Sequence, residues 1–128
     1  MVHEQNGAVS VLAFSPNGML VAAGYLGVTI CLWNSATGDL SYKLEGHTGR
    51  VLAVAFSPDS MLVAIDSCDL TARLLDTDRR GLLYKLEGHK QSVCVVAFSP
   101  DDKLVATGYK NRTFQLWDTT TGKALLRD

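Results

Sequence analysis

This chain is poor in charge. Charged side chains make up 20% of its 128 residues and nearly cancel, to a net −1, and residues 5–38 carry none. A protein that grips a phosphate backbone needs a concentrated basic face. The Arg79-Arg80 pair is too small for one and reads as a solvated hairpin turn, so no nucleic acid is expected as a partner. The three cysteines, Cys31, Cys68 and Cys94, form neither a CxxC pair nor a Cys/His ligand spacing. No metal or other cofactor is expected, and reduced thiols fit an intracellular protein. Cys31 and Cys94 stand in apolar runs and read as small core residues, whereas Cys68 falls in a turn. The apolar run from Met19 to Trp33 is interrupted by Gly24 and Gly27. It falls short of the roughly 20 residues that a membrane helix requires, so no membrane span is expected. Met1 to Gln5 lacks the basic start and apolar core of a secretory leader, which makes a cytoplasmic location the expectation. Asn111-Arg112-Thr113 fits a glycosylation acceptor but has no secretory context.

What is present is repetition. Phe-Ser-Pro occurs at residues 14, 56 and 98, at intervals of 42, and these tripeptides hold all three prolines. The same step maps Trp33 onto Leu75 and Trp117, Asn34 onto Asp76 and Asp118, and Gly46-His47 onto Gly88-His89. A period of about 40–45 residues with Gly-His at the start of a unit and Trp-Asp at the end of its third strand marks a four-stranded propeller blade. On these residues the chain resembles the WD40 repeat family from about Gly7 to Asp128. The fold expected is all-β: three four-stranded antiparallel blades forming an incomplete, open β-propeller. A single repeat region over 1–128 would divide into blades at about 7–46, 47–88 and 89–128.

The last unit shows how the residues dictate this. Val93 to Phe98 is apolar at nearly every position, which suits a strand covered on both faces. Ser99-Pro100-Asp101-Asp102 is a turn, because proline presets φ and the aspartates tolerate turn geometry. Lys103 to Gly108 and Thr113 to Trp117 follow as strands, and Thr121-Gly122 leads into an outer strand over Lys123 to Arg127. The middle unit is worn: Ser60 replaces a turn glycine, and Gly81 stands one place late. In such an array the interior blade has no wet face, while the first and third each leave one side open. Repeat arrays normally end in polar caps, but the first unit here is the least charged of the three. Apolar faces of this kind call for cover.

The resemblance also implies a hydrogen-bonded tetrad running from a Trp indole through a Ser/Thr hydroxyl and a His to an Asp. By position the third unit offers Trp117, Thr107, His89 and Asn111, with asparagine in place of the acid. The second keeps His47 and Asp69 but has Ile65 and Leu75 elsewhere; the first keeps only Trp33. These residues resemble a catalytic triad only superficially, since buried polar groups in such a fold must satisfy one another. No nucleophile elbow, phosphate loop or facing carboxylate pair accompanies them. No catalytic residue is assigned, and His47 and His89 fall in different blades, too far apart to share a metal.

Propellers carry partners on the loops before the first strand and between the second and third strands of each blade. Those positions hold Arg50, Lys90, Tyr25, Tyr109 and Lys110. Aromatic residues beside cations suit protein recognition; the alternative reading has both tyrosines filling space between blades. The chain is accordingly expected to be a non-enzymatic scaffold or adaptor that binds other proteins. Its phrases Leu-Glu-Gly-His and Ala-Phe-Ser-Pro-Asp resemble the repeat arrays of fungal and bacterial NACHT-type signalling proteins, which would make it a sensor or adaptor segment. The alternative is a truncated propeller that works only by self-association through its open faces, such as a dimer of three and three blades, or within a longer chain.

Overall fold

A computed structural model describes residues 8–25, 29–45, 51–67, 72–78, 81–86, 93–109 and 113–125. Among the described residues, eleven strands build three antiparallel sheets. The first joins β1 (Val9–Phe14), β2 (Leu20–Tyr25), β3 (Thr29–Asn34) and β4 (Leu40–Glu45) as a meander. The second repeats that order with β5 (Val51–Phe56), β6 (Leu62–Ser67), β7 (Ala72–Asp76) and β8 (Gly81–Leu86). The third contains β9 (Val93–Phe98), β10 (Leu104–Tyr109) and β11 (Phe114–Asp118). Here the expected fourth strand shrinks to a single bridge between Trp117 and Ala124 among the described residues. The sheets are the three blades of an open propeller. No helix among the described residues is long and apolar enough to cross a membrane.

Each blade is framed by the residues that recur every 42 positions. The Ser15 hydroxyl donates to Asn17 Oδ1 at 2.6 Å and accepts from the Leu20 amide at 3.0 Å. Ser57 repeats this with Asp59 and Leu62, and Ser99 with Asp101 and Leu104. Phe-Ser-Pro is therefore a turn held by its own serine. The polar residue after Trp33, Leu75 and Trp117 frames the next hairpin. Asn34 accepts from the amides of Ala36 and Thr37, and Asp118 from those of Thr120 and Thr121. The hairpin glycines Gly38 and Gly122 take φ of +78° and +72°, as their turns require.

The strand faces stack blade on blade. Ala22, Ile30 and Leu32 of the first blade pack against Val51, Val63, Ile65 and Leu75 of the second. The repeat-equivalent Ala64, Ala72 and Leu74 pack against Val96, Val105 and Trp117 of the third. One face of each blade thus meets the opposite face of the next, with β1, β5 and β9 side by side. This explains why Val51 to Phe56 does not alternate between apolar and polar: the middle blade is covered on both sides. Gly24 is part of that fit. A Cβ there would lie 2.6 Å from Val11 Cγ2 and 2.8 Å from Val51 Cγ1.

Candidate interaction surface

The tetrad expected in the third blade begins as the sequence implies. Trp117 Nε1 donates to Thr107 Oγ1 at 2.9 Å, with both residues buried. His89 and Asn111 lie outside the described residues, as do His47 and Asp69 of the second blade. In the first blade Ala23 occupies the place of Thr107, and Trp33 Nε1 is buried without an acceptor among the described residues. A hydroxyl at the fourth position of β10 is therefore what satisfies the indole.

Arg50, Lys90 and Lys110 lie outside the described residues. The two tyrosines, equivalent in sequence, part company in space. Tyr25 is 4% exposed and packs with Ala23, Cys31 and Trp33 inside the first blade, so its side chain fills space there. Tyr109 is half-buried at the end of β10, where its amide donates to the Thr113 carbonyl at 2.9 Å. Of the two, only Tyr109 retains surface to present. Cys31 is fully buried, as its apolar run implies; the side chain of Cys94, and all of Cys68, lie outside the description.

Three features escaped the sequence reading. Ser60 and Asp102 both adopt positive φ, 65° and 67°, at the place of Gly18. Each reaches back to the preceding blade: the Asn17 amide donates to Ser60 Oγ at 3.1 Å, and the Asp59 amide to Asp102 Oδ1 at 3.0 Å. These are latches between blades, and the 42-residue step relating the two pairs was visible in the sequence. The second feature is Asp66, at the place of Gly24 and Gly108, on the covered centre of the array. It is 0% exposed, neither carboxylate oxygen has a hydrogen-bond partner among the described residues, and burial pushes its pKa up to about 8. Ala53 pairs with Asp66 where the bulkier Val11 crowds Gly24, which makes room for the larger side chain. Asp101 and Asp118 behave oppositely. Hydrogen bonds from Ser99 and the Lys103 amide, and from Thr120 and the Thr121 amide, hold their carboxyls below the usual range.

The third feature is the composition of the open sides. Leu12 and Phe14 of the first blade are 65% and 68% exposed and border a cleft floored by Val21, Ala23 and Trp33. On the far side of the third blade, Val95 and Phe114 are 59% and 51% exposed. No group of His, Cys, Asp and Glu among the described residues is arranged to hold a metal.

Comparison with known proteins accords with this architecture. The family described as "WD domain, G-beta repeat" matches residues 1–34, 38–76 and 80–118. No curated protein matches the chain. Among solved structures, the crystal structure of RRP9 WD40 repeats superimposes with a TM-score of 0.91 at 17% identity, over 98% of this chain and 39% of that one. The structure of U3-55K gives 0.91 and 17%, over 98% and 40%. At such identity the likeness speaks for the fold alone, and the chain spans about two fifths of those solved chains. With three repeats matched and three blades built, the chain belongs to the WD40 repeat family.

Proposed function

We propose that this chain is a non-enzymatic scaffold that presents the loops at one end of its blades to other proteins. One observation carries the reading: the polar residues that recur every 42 positions are consumed in framing the blades. Ser15, Ser57 and Ser99 bind their own turns, and Asn34 and Asp118 bind their own hairpins. The loops between them vary. Leu26-Gly27-Val28 corresponds to Cys68-Asp69-Leu70 and to Lys110-Asn111-Arg112, and Thr48-Gly49-Arg50 to Lys90-Gln91-Ser92. A constant frame with a variable rim is the design of a binding surface, and aromatic and cationic residues are the ones that anchor protein partners. Arg50, Lys90, Tyr109 and Lys110 are the residues assigned to it. The resemblance of Leu-Glu-Gly-His and Ala-Phe-Ser-Pro-Asp to NACHT-type arrays supports a place as sensor or adaptor within a signalling protein. The test is an Arg50→Glu/Lys90→Glu variant, shown to be folded by circular dichroism. It is expected to lose partners that the parent captures; retention of the same partners overturns the assignment.

The open faces favour a second reading, in which the blades function only when those faces are covered. Exposed phenylalanine and leucine on Phe14, Leu12 and Phe114 support it, since isolated domains rarely leave such patches bare.

A further inference from the structure

We propose that the cover is a second copy of this chain, docked head to tail, with the third blade of each copy seated on the first blade of the other in a six-bladed ring. The inference rests on the second reading above and names its partner. Six blades fall within the four to eight of closed propellers, whereas three copies would exceed it.

The argument is continuity with seams that the chain already makes. Between the first and second blades, the face bearing Ala22, Ile30 and Leu32 meets the face bearing Val63, Ile65 and Leu75. Between the second and third, the equivalent Ala64, Ala72 and Leu74 meet Val105 and Trp117. The open face of the third blade carries the next members of the first series, Ala106, Phe114 and Leu116. The open face of the first blade carries the matching members of the second, Val21, Ala23 and Trp33. A second copy therefore offers a surface of the kind that each open face would meet within a longer array.

Side-chain size makes the match specific. In the first seam Ile30 and Ile65 belong to one apolar cluster, and at the equivalent positions of the second seam stand Ala72 and Thr107; all four are fully buried. The proposed seam would have Phe114 with Ala23. Phe114 is the largest residue of its series and projects half-exposed; Ala23 is the smallest of its own and floors a cleft. A knob on one open face thus faces a hollow on the other, the interdigitation that close packing demands. The turn latch is the missing element. Ser60 and Asp102 clasp the preceding blade, but Gly18 has their backbone conformation without a side chain, and the space around it is open.

Light scattering after size exclusion, over a dilution series of the full chain, reads the assembly directly. The expected species is twice 13.9 kDa. Phe14→Lys and Phe114→Glu each alter one exposed face and neither internal seam, and each alone is expected to run as a folded monomer. Mixed, they are expected to recover the dimer, because one seam is then wild type and the other pairs lysine with glutamate. Gly18→Asp supplies the absent latch and is expected to tighten dimerisation roughly 2- to 10-fold. A parent that stays monomeric at its highest soluble concentration overturns the proposal, as does a mixture that stays monomeric or a parent that grows into open-ended assemblies. A monomer that still loses partners on Arg50/Lys90 reversal would overturn this inference while leaving the scaffold reading standing.

Discussion

Asp102 holds the second blade to the third through Asp59: its carboxylate accepts the Asp59 amide at 3.0 Å, across a separation of 43 residues. It does so from a backbone φ of 67°, a conformation that costs a residue with a Cβ roughly 1–2 kcal/mol. The bond offsets that strain. Asp102→Ala keeps the strain and loses the acceptor, and is expected to destabilise the chain by about 1–3 kcal/mol. Asp102→Gly loses the acceptor but relieves the strain, so its loss should be less than half as large. Urea unfolding midpoints of the two variants check this; equal losses would show that φ strain contributes nothing.

The indole of Trp117 and that of Trp33 make a controlled comparison within one molecule. Thr107 accepts from the first, while Ala23 leaves the second without an acceptor among the described residues. Thr107→Val is expected to cost about 1–3 kcal/mol by stranding a buried donor. Ala23→Thr is expected to recover about 0.5–1.5 kcal/mol by giving Trp33 a partner. Thermal unfolding of both variants tests the pair, and opposite signs are the expected signature.

The blades were legible in the sequence because the frame is local. Ser15 binds residues two and five positions on, and Asn34 residues two and three positions on, so the framing residues must recur with the fold. What escaped the reading depends on the neighbouring blade. Ser60 reads as a worn turn glycine until Asn17, 43 residues back, is seen to donate to it. Asp66 stands where the other blades have Gly24 and Gly108, and only the fold shows that it is fully buried. The outer strand expected over Lys123 to Arg127 is reduced to the Ala124 bridge among the described residues. Tyr25 and Tyr109 share a sequence position, yet burial separates them.

Asp66 sets the pH response. Its carboxyl titrates near 8 in the folded chain against an ordinary value of 3.8. Below about 4 both states hold the proton and the group contributes nothing to the pH dependence. Between about 4 and 8 the folded chain retains a proton that the unfolded chain has released, so stability falls as pH rises, and the slope vanishes above about 8. Asp101 and Asp118 run the other way: their lowered pKa values give stability that is present above 3.8 and lost as pH falls through the folded values. Asp66→Asn is expected to flatten the limb between about 4 and 8. At pH 9 it should exceed the parent by more than about 1.4 kcal/mol, the worth of one pKa unit. Denaturant unfolding at pH 5, 7 and 9 measures the limb, and a parent curve that rises over this interval would contradict the assignment.

Gly122 and Gly18 separate the two reasons a turn needs glycine. Their φ values, +72° and +74°, are nearly the same, so alanine meets the same backbone strain at both. Their surroundings differ. Nothing lies within 4 Å of a Cβ placed on Gly18, whereas one on Gly122 would come within 2.5 Å of the Tyr84 ring. Tyr84 belongs to the second blade, and its hydroxyl donates to the Thr120 carbonyl in the hairpin of the third. That bond holds the ring over the hairpin, so the ring cannot simply swing aside. Gly18→Ala is expected to cost roughly 1–2 kcal/mol from φ alone. Gly122→Ala should cost a further 1–3 kcal/mol, roughly that of overpacking. Combining Gly122→Ala with Tyr84→Ala should remove the further loss and leave the strain, a coupling that a double-mutant cycle isolates. If the two alanine variants lose the same stability, the seam between the second and third blades does not rest on the contact between Tyr84 and the hairpin.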